Sequence, residues 1–266
     1  MNTIPERVSS ADGTQIAVEA AGQGRPVVLI GGAFSDRRTM AGLARVLSPF
    51  YSAVTYDRRG RGDSGDESGV YSADREIEDL RAVISHVGGA AFLFGHSSGA
   101  VLALEAASRG LSAEKVAAYE TPFIPDESRP RPAPDVMERL AGLVKAGDSG
   151  GATALFQTEV IGLPAEMVES MRHSAMWGYL TGLAHSLPYD YALFEPGCPV
   201  PRARLANVGV PVLAIAGSNT FPWLAAATKQ VAGAIPGARF LSLQGQDHGV
   251  LQQPAALLPC LREFLG

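Results

Sequence analysis

The stretch Ala91-Phe92-Leu93-Phe94-Gly95-His96-Ser97-Ser98-Gly99-Ala100-Val101-Leu102-Ala103-Leu104 decides how this chain folds. Its first four residues form a continuous apolar run, the pattern of a strand buried on both faces of a parallel sheet. From Ser98 to Ala107 the residues are mostly small and apolar, which suits a helix packed closely on that sheet. Between the two stands Gly95-x-Ser97-x-Gly99, which places a serine at a strand-to-helix turn. A turn this sharp strains the serine backbone, and side chains two positions away on either side would collide. The turn exposes the Ser97 hydroxyl as a candidate nucleophile. It also aims the start of the next helix at it, so the backbone N–H of Ser98 can stabilise a developing oxyanion. The rival reading is a structural turn in a non-catalytic α/β protein.

Working outward, further strands are expected at Ile16 to Ala20, Pro26 to Ile30, Ser52 to Tyr56, Val116 to Tyr119, Val210 to Ala216 and Arg239 to Leu243. Helices are expected around Asp36 to Leu47, Ser72 to Val87, Trp223 to Ala234 and Pro254 to Phe264. In the second, Ile77, Leu80, Ile84 and Val87 recur at helical spacing behind a Ser72 N-cap. Strands alternating with helices imply βαβ units and a mostly parallel sheet with helices on both faces. The prolines at 122, 125, 130, 132 and 134 break this rhythm, and only helical segments follow until about Ala192. The expected organisation is an α/β core, 1–121 and 206–266, interrupted by a helical cap insertion, 122–205.

The 266 residues carry a net charge of −5, with 46% apolar and 18% charged residues. That balance argues against nucleic acid, which needs a concentrated basic face. The one basic cluster, Arg58-Arg59-Gly60-Arg61, is read as a loop feature, with contact to a substrate anion as the rival. Cys198 and Cys260 are far apart and fit neither a metal site nor a redox pair, so free thiols in a reducing compartment are expected. No basic-then-apolar leader opens the chain and no run approaches a membrane span, so the expected setting is cytoplasmic, with no membrane partner. No metal and no cofactor are implied.

Gly95 to Gly99, Val27-Val28-Leu29-Ile30-Gly31-Gly32 and Tyr56-Asp57-Arg58-Arg59-Gly60-Arg61-Gly62-Asp63-Ser64-Gly65 together resemble the α/β-hydrolase superfamily over nearly the whole chain. The resemblance implies the α/β-hydrolase fold and a second oxyanion donor at the residue after Gly31-Gly32, which is Ala33. The family usually carries His-Gly there; a backbone donor does not depend on that histidine. It also implies a structural role for Asp57.

A serine needs a base near pH 7, and the histidines are His86, His96, His173, His185 and His248. His248 lies between the last strand and the last helix, where the superfamily places its histidine. The supporting acid is where this chain departs. The loop that usually holds an Asp reads Gly217-Ser218-Asn219-Thr220-Phe221-Pro222, with no carboxylate. The end of the strand after the nucleophile reads Tyr119-Glu120-Thr121-Pro122-Phe123, similar to the Glu-bearing segment of haloalkane dehalogenases and some esterases. Glu120 is therefore the expected acid, with Asp247 as competitor and Asp126 more distant.

Aromatic and methionine residues of the insertion could roof the site, and Phe34, Phe123, Met176, Trp177 and Trp223 are the expected substrate contacts. The reading is a carboxylesterase-like serine hydrolase of small apolar or aromatic esters or lactones, and a homodimer is compatible with it. The alternatives are a C–C bond hydrolase, lyase or cyclase of secondary metabolism on the same scaffold, and a non-catalytic ligand-binding receptor.

Overall fold

The apolar runs become the middle of one sheet. The computed structural model describes residues 5–67 and 71–266; the first four residues, read above for a leader, lie outside them. Its strands are β1 (Glu6–Ser9), β2 (Gln15–Ala21), β3 (Pro26–Ile30), β4 (Ser52–Tyr56), β5 (Ala91–His96), β6 (Ala113–Tyr119), β7 (Val212–Gly217) and β8 (Arg239–Leu243). They lie in the order β1-β2-β4-β3-β5-β6-β7-β8. β2 runs antiparallel to both its neighbours and every other pairing is parallel. β1 has no counterpart in the sequence reading, because only Val8 of its four residues is buried and an edge strand leaves no apolar run.

Period-two alternation fills both faces of the sheet. Val28, Ile30, Leu93, Val116 and Ala118 point into one apolar cluster, while Val27, Leu29, Phe92, Phe94 and Ala117 point into the other. The first cluster is covered by α2 (Ala73–His86) and α3 (Ser98–Ser108), the second by α1 (Ala41–Leu47) and the closing helix Leu258–Leu265. Ser72 caps α2, its side chain accepting from the Arg75 N–H. Two expected helices begin as 3-10 turns: Arg37–Met40 precedes α1, with Asp36 accepting from the Arg38 and Thr39 amides, and Pro254–Leu257 precedes the closing helix.

The glycines flanking Ser97 are there for backbone contact. A Cβ on Gly95 would stand 2.5 Å from the Ala100 Cα, and one on Gly99 would stand 2.6 Å from the Gly31 carbonyl oxygen. Bare backbone at both positions lets α3 fold back tightly on the ends of β5 and β3.

Between β6 and β7 the described chain is helical, with Val136–Lys145, Ser149–Leu155, Ala165–Arg172, Met176–Gly182 and Leu187–Tyr191 as its main α-helical pieces. A π-helical turn, Phe156–Ile161, continues the second of them. Ile124, Val136, Leu140, Ala152 and Leu187 form their own apolar cluster, which Phe34 of the sheet domain joins. The short helix Arg202–Leu205 returns to the sheet, delivering Leu205 to the first cluster. No helix among the described residues is long and apolar enough to cross a membrane.

Gly99→Ala is expected to lower unfolding free energy by more than about 3 kcal/mol, since backbone must move. Gly178→Ala, with open space around its Cβ inside a helix, should be neutral or stabilise by up to about 1 kcal/mol. Urea unfolding of both variants checks the pair, and equal effects would mean that the close approach at Gly99 is not tight.

Candidate active site

Ser97 stands between β5 and α3 with φ 57° and ψ −124°, a conformation that non-glycine residues rarely adopt. Its amide still donates to the Tyr119 carbonyl at 2.9 Å, so the sheet ladder holds the strained residue in place. A Cβ on Gly32 would stand 2.9 Å from the Ser97 Cβ. The Gly31-Gly32-Ala33 loop can therefore pass directly beside the serine only without a side chain at that point.

Glu120 follows β6, is fully buried, and also has positive φ, 49°. Its Oε1 accepts the Gly217 N–H at 2.8 Å. Its Oε2 accepts the Thr220 hydroxyl at 3.1 Å and the His248 Nδ1–H at 2.6 Å. Because a carboxylate only accepts, Nδ1 carries the proton and Nε2 of His248 is left with its lone pair. Thr220, where the family's usual Asp would stand, supports the glutamate instead of replacing it. The Asp247 carboxylate is turned elsewhere, accepting the Gly249 N–H at 2.8 Å. Asp126 is exposed and accepts from the Ser128 amide.

The His248 loop is also held through its backbone. His96 Nε2–H donates to the His248 carbonyl at 2.9 Å, and the Tyr119 hydroxyl donates to the Asp247 carbonyl at 2.7 Å. The His96 ring stacks on Tyr119 at 5.7 Å and lies 4.7 Å from the His248 ring. Burial, then the neighbouring His248, push the His96 imidazole down to about 3, so it stays neutral. His86 pairs with Glu6, His173 is exposed, and His185 donates to the Gly60 carbonyl.

One buried group was not foreseen from the sequence. Asp190, fully buried in the helix Leu187–Tyr191, accepts from Arg58 Nη1 at 2.8 Å, Arg61 Nη2 at 3.0 Å and the Ser98 hydroxyl at 2.6 Å. Arg58 and Arg61 also donate to the Gly31 and Gly32 carbonyls, at 3.3 and 3.2 Å. Glu76 takes the rest of Arg58, Nε donating at 2.5 Å. The basic cluster is thus internal, with Arg58, Arg59 and Arg61 all buried. Burial alone would push the Asp190 carboxyl up, but Arg61 and Arg58 hold it below its ordinary value. Asp57 is buried too and braces the neighbouring loop through Arg37 and the Asp63 amide, as a structural residue would.

Ser97, Ser98, Ala33 and His248 open on one cavity of about 270 Å³. The insertion supplies Phe156, Gln157, Val160 and Ile161 of its π-helical turn, with Leu163, Asp190, Phe194 and Cys198, and the sheet domain adds Pro122, Phe221, Trp223 and Leu224. Of the expected substrate contacts only Trp223 is in this wall. Phe34 packs edge-on against Phe156 at 5.6 Å, behind the surface, and Phe123 is buried in the sheet core against Phe194. Met176 is 54% exposed on a different face and Trp177 lies under Arg172. Large apolar side chains near a site more often pack than line it, which is why composition pointed to the wrong four. Cys198 is a free thiol that burial pushes up to about 11, so it is protonated at neutral pH. No group of three or more potential ligands among the described residues is placed to hold a metal ion.

The model of the alpha/beta hydrolase family matches residues 27–259. This chain belongs to the α/β-hydrolase family. Among solved structures it is similar to an α/β hydrolase of Sphaerobacter thermophilus, 44% identical with a TM-score of 0.92 over 98% of this chain and all of that one. An esterase of Thermogutta terrifontis shares the fold at 21% identity, with a TM-score of 0.73 over 99% of this chain and 98% of the other. The uncharacterized hydrolase YraK of Bacillus subtilis is 29% identical over 106 residues, a match spanning 39% of each protein. Membership of this family supports hydrolase activity.

Two outcomes follow from the buried groups. His96 binds a proton only in the unfolded chain between its ordinary value of 6.5 and about 3, so its contribution to stability is complete above 6.5 and falls as pH drops. From pH 6.5 to 5 this removes about 2 kcal/mol, and His96→Asn should flatten that part of the urea-unfolding profile. Asp190→Asn leaves Arg61 without its only carboxylate among the described residues and should destabilise by about 3–5 kcal/mol, while Asp126→Asn should change little. Equal midpoints for these two variants would dismiss the role given to the buried cluster.

Proposed function

We propose that the protein is a serine hydrolase of carboxylic esters or lactones that works through an acyl-enzyme, with Ser97, His248 and Glu120 as its triad. The observation that carries this reading is the 2.6 Å bond between His248 Nδ1 and Glu120, which leaves Nε2 as a base in the cavity that Ser97 also faces. Ser97 Oγ attacks the carbonyl carbon while its proton passes to His248 Nε2, and Glu120 stabilises the imidazolium that forms. The carbonyl electrons move onto oxygen, which the Ala33 and Ser98 amides receive. The Ser98 N–H opens α3 and so has no carbonyl one turn back to satisfy it. Collapse of the intermediate expels the alcohol, which takes the proton from Nε2. Water, activated by the same nitrogen, then releases the acid.

The cavity supports apolar acyl or alkoxy groups of modest size, since its wall is aliphatic and aromatic apart from a few polar side chains. Its one acid, Asp190, is neutralised by two guanidiniums. The esterase of the Thermogutta structure is consistent with this substrate class.

Turnover of p-nitrophenyl esters and labelling by a fluorophosphonate should both vanish in Ser97→Ala. Glu120→Gln should lower kcat by about 10³-fold or more, while Asp247→Asn stays near the parent. Full activity in both carboxylate variants would sink the triad. Labelling without ester turnover would move the reaction to another bond on the same scaffold, and absence of labelling would favour a ligand-binding role.

A further inference from the structure

The wall of the cavity contains a buried side-chain amide, Gln157, that neither the triad nor the buried charge cluster uses. Gln157 is only 5% exposed, and its side-chain amide makes no hydrogen bond to any described residue. Buried amides are nearly always bonded, since leaving one unmet costs about 1–3 kcal/mol. The polar atoms that this fold seals away without partners lie elsewhere, at Thr121 and Thr153 among others. The Gln157 amide is not sealed in that way, and the open space it borders is the cavity.

The backbone around it is fixed. The Gln157 carbonyl accepts the Gly162 and Leu163 amides, closing the π-helical turn at Gly162, which has a left-handed φ of 84°. The Arg129 guanidinium caps the Glu159, Val160 and Ile161 carbonyls and lies 4.7 Å over the Trp223 ring. The turn is thereby clasped to the opposite wall. A π-helical turn has more residues per turn than an α-helix, so Phe156, Gln157, Val160 and Ile161 share one narrow arc facing the cavity. Three of these four are apolar.

We propose that Gln157 is a specificity-determining residue that selects substrates carrying one neutral hydrogen-bonding oxygen, a ketone or a hydroxyl, on an otherwise apolar acyl or alkoxy chain. This rests on the ester-hydrolase reading above. The group is neutral because no unpaired cation among the described residues lines the cavity to meet an anion, and the amide offers two N–H donors and one acceptor oxygen. An unsubstituted alkyl chain would leave the amide both desolvated and unbonded.

The test compares p-nitrophenyl hexanoate with its 4-oxo and 5-oxo analogues. It also compares hexyl acetate with 5-oxohexyl acetate, followed by pH-stat, so that the ketone is offered on the acyl and the alcohol side in turn. The wild-type enzyme should favour the oxo member of at least one pair by about tenfold in kcat/KM, the worth of one added neutral hydrogen bond. Gln157→Met, which keeps the length without the amide, should erase that preference, slowing the oxo ester and speeding its alkyl parent as the unmet amide is removed. Equal wild-type kcat/KM in every pair overturns the proposal without any variant. So does a preference that survives in Gln157→Met. Turnover of alkyl esters with no such preference leaves the hydrolase reading standing alone; turnover of neither member of any pair removes the hydrolase reading and this inference with it.

Discussion

The fully buried carboxylate of Glu120 organises the site. A carboxyl group at that depth is tolerated only when its oxygens are bonded, and here three donors come from the end of β7 and the loops after β7 and β8. Satisfying it fixes the path of both loops. The end of β7 and the loop after it must bring the Gly217 amide and the Thr220 hydroxyl to the same carboxylate. They must also pass so close to the histidine loop that a Cβ on Gly217 would stand 2.5 Å from the Gln246 carbonyl carbon. A carboxylate at the end of β6 thus holds the His248 ring, with the Thr220 hydroxyl of the loop after β7 donating to it.

A second buried set of charges ties the helical insertion to the sheet domain. Two guanidiniums, Arg58 and Arg61, are matched by Glu76 and Asp190, and the same arginines hold the carbonyls of Gly31 and Gly32. Replacing such a set by apolar residues could be neutral for stability, so its presence is better explained by the geometry it fixes. Asp190 is the only member carried by the insertion. Its bond to the Ser98 hydroxyl fastens the helical segment between β6 and β7 to the first residue of α3, beside Ser97. The position of the helix Leu187–Tyr191 and the position of the Gly31-Gly32-Ala33 loop are set by one network.

Much of this was legible in the chain itself. The central strands announce themselves because both their faces are buried, and the family motif at Gly95 to Gly99 falls where a strand meets a helix. Glu120 could be singled out because the loop at 217–222 holds no carboxylate. Asp190 could not, since one acid among Leu187, Pro188, Tyr189 and Tyr191 forms no motif. The only available signal was indirect: Arg58 and Arg61 need acids, and Asp57 and Asp63, which stood nearby in sequence, turn out to serve Arg37 instead. Lining residues were hidden for a different reason. Which face of the insertion meets the cavity depends on the π-helical turn at 156–161, and nothing in Phe156-Gln157-Thr158-Glu159-Val160-Ile161 reports a change of helical pitch.

Backbone strain follows the same map. Among the described non-glycine residues, positive φ occurs at Phe34, Ser97, Glu120 and Cys198. The first three sit where the chain leaves β3, β5 and β6, and the fourth lines the cavity. Each such residue costs about 1–3 kcal/mol, which persists only where surrounding bonds over-determine the conformation. Here those bonds are visible. The Ser97 and Glu120 amides stay in the sheet ladder, donating to the Tyr119 and Ile215 carbonyls at 2.9 Å, and the Cys198 carbonyl receives the Ile124 amide at 2.7 Å. The regular sheet therefore does more than carry the site. Its ladder continues one residue past the ends of β5 and β6, and that extra bond keeps the serine and the glutamate in turns they would otherwise relax out of.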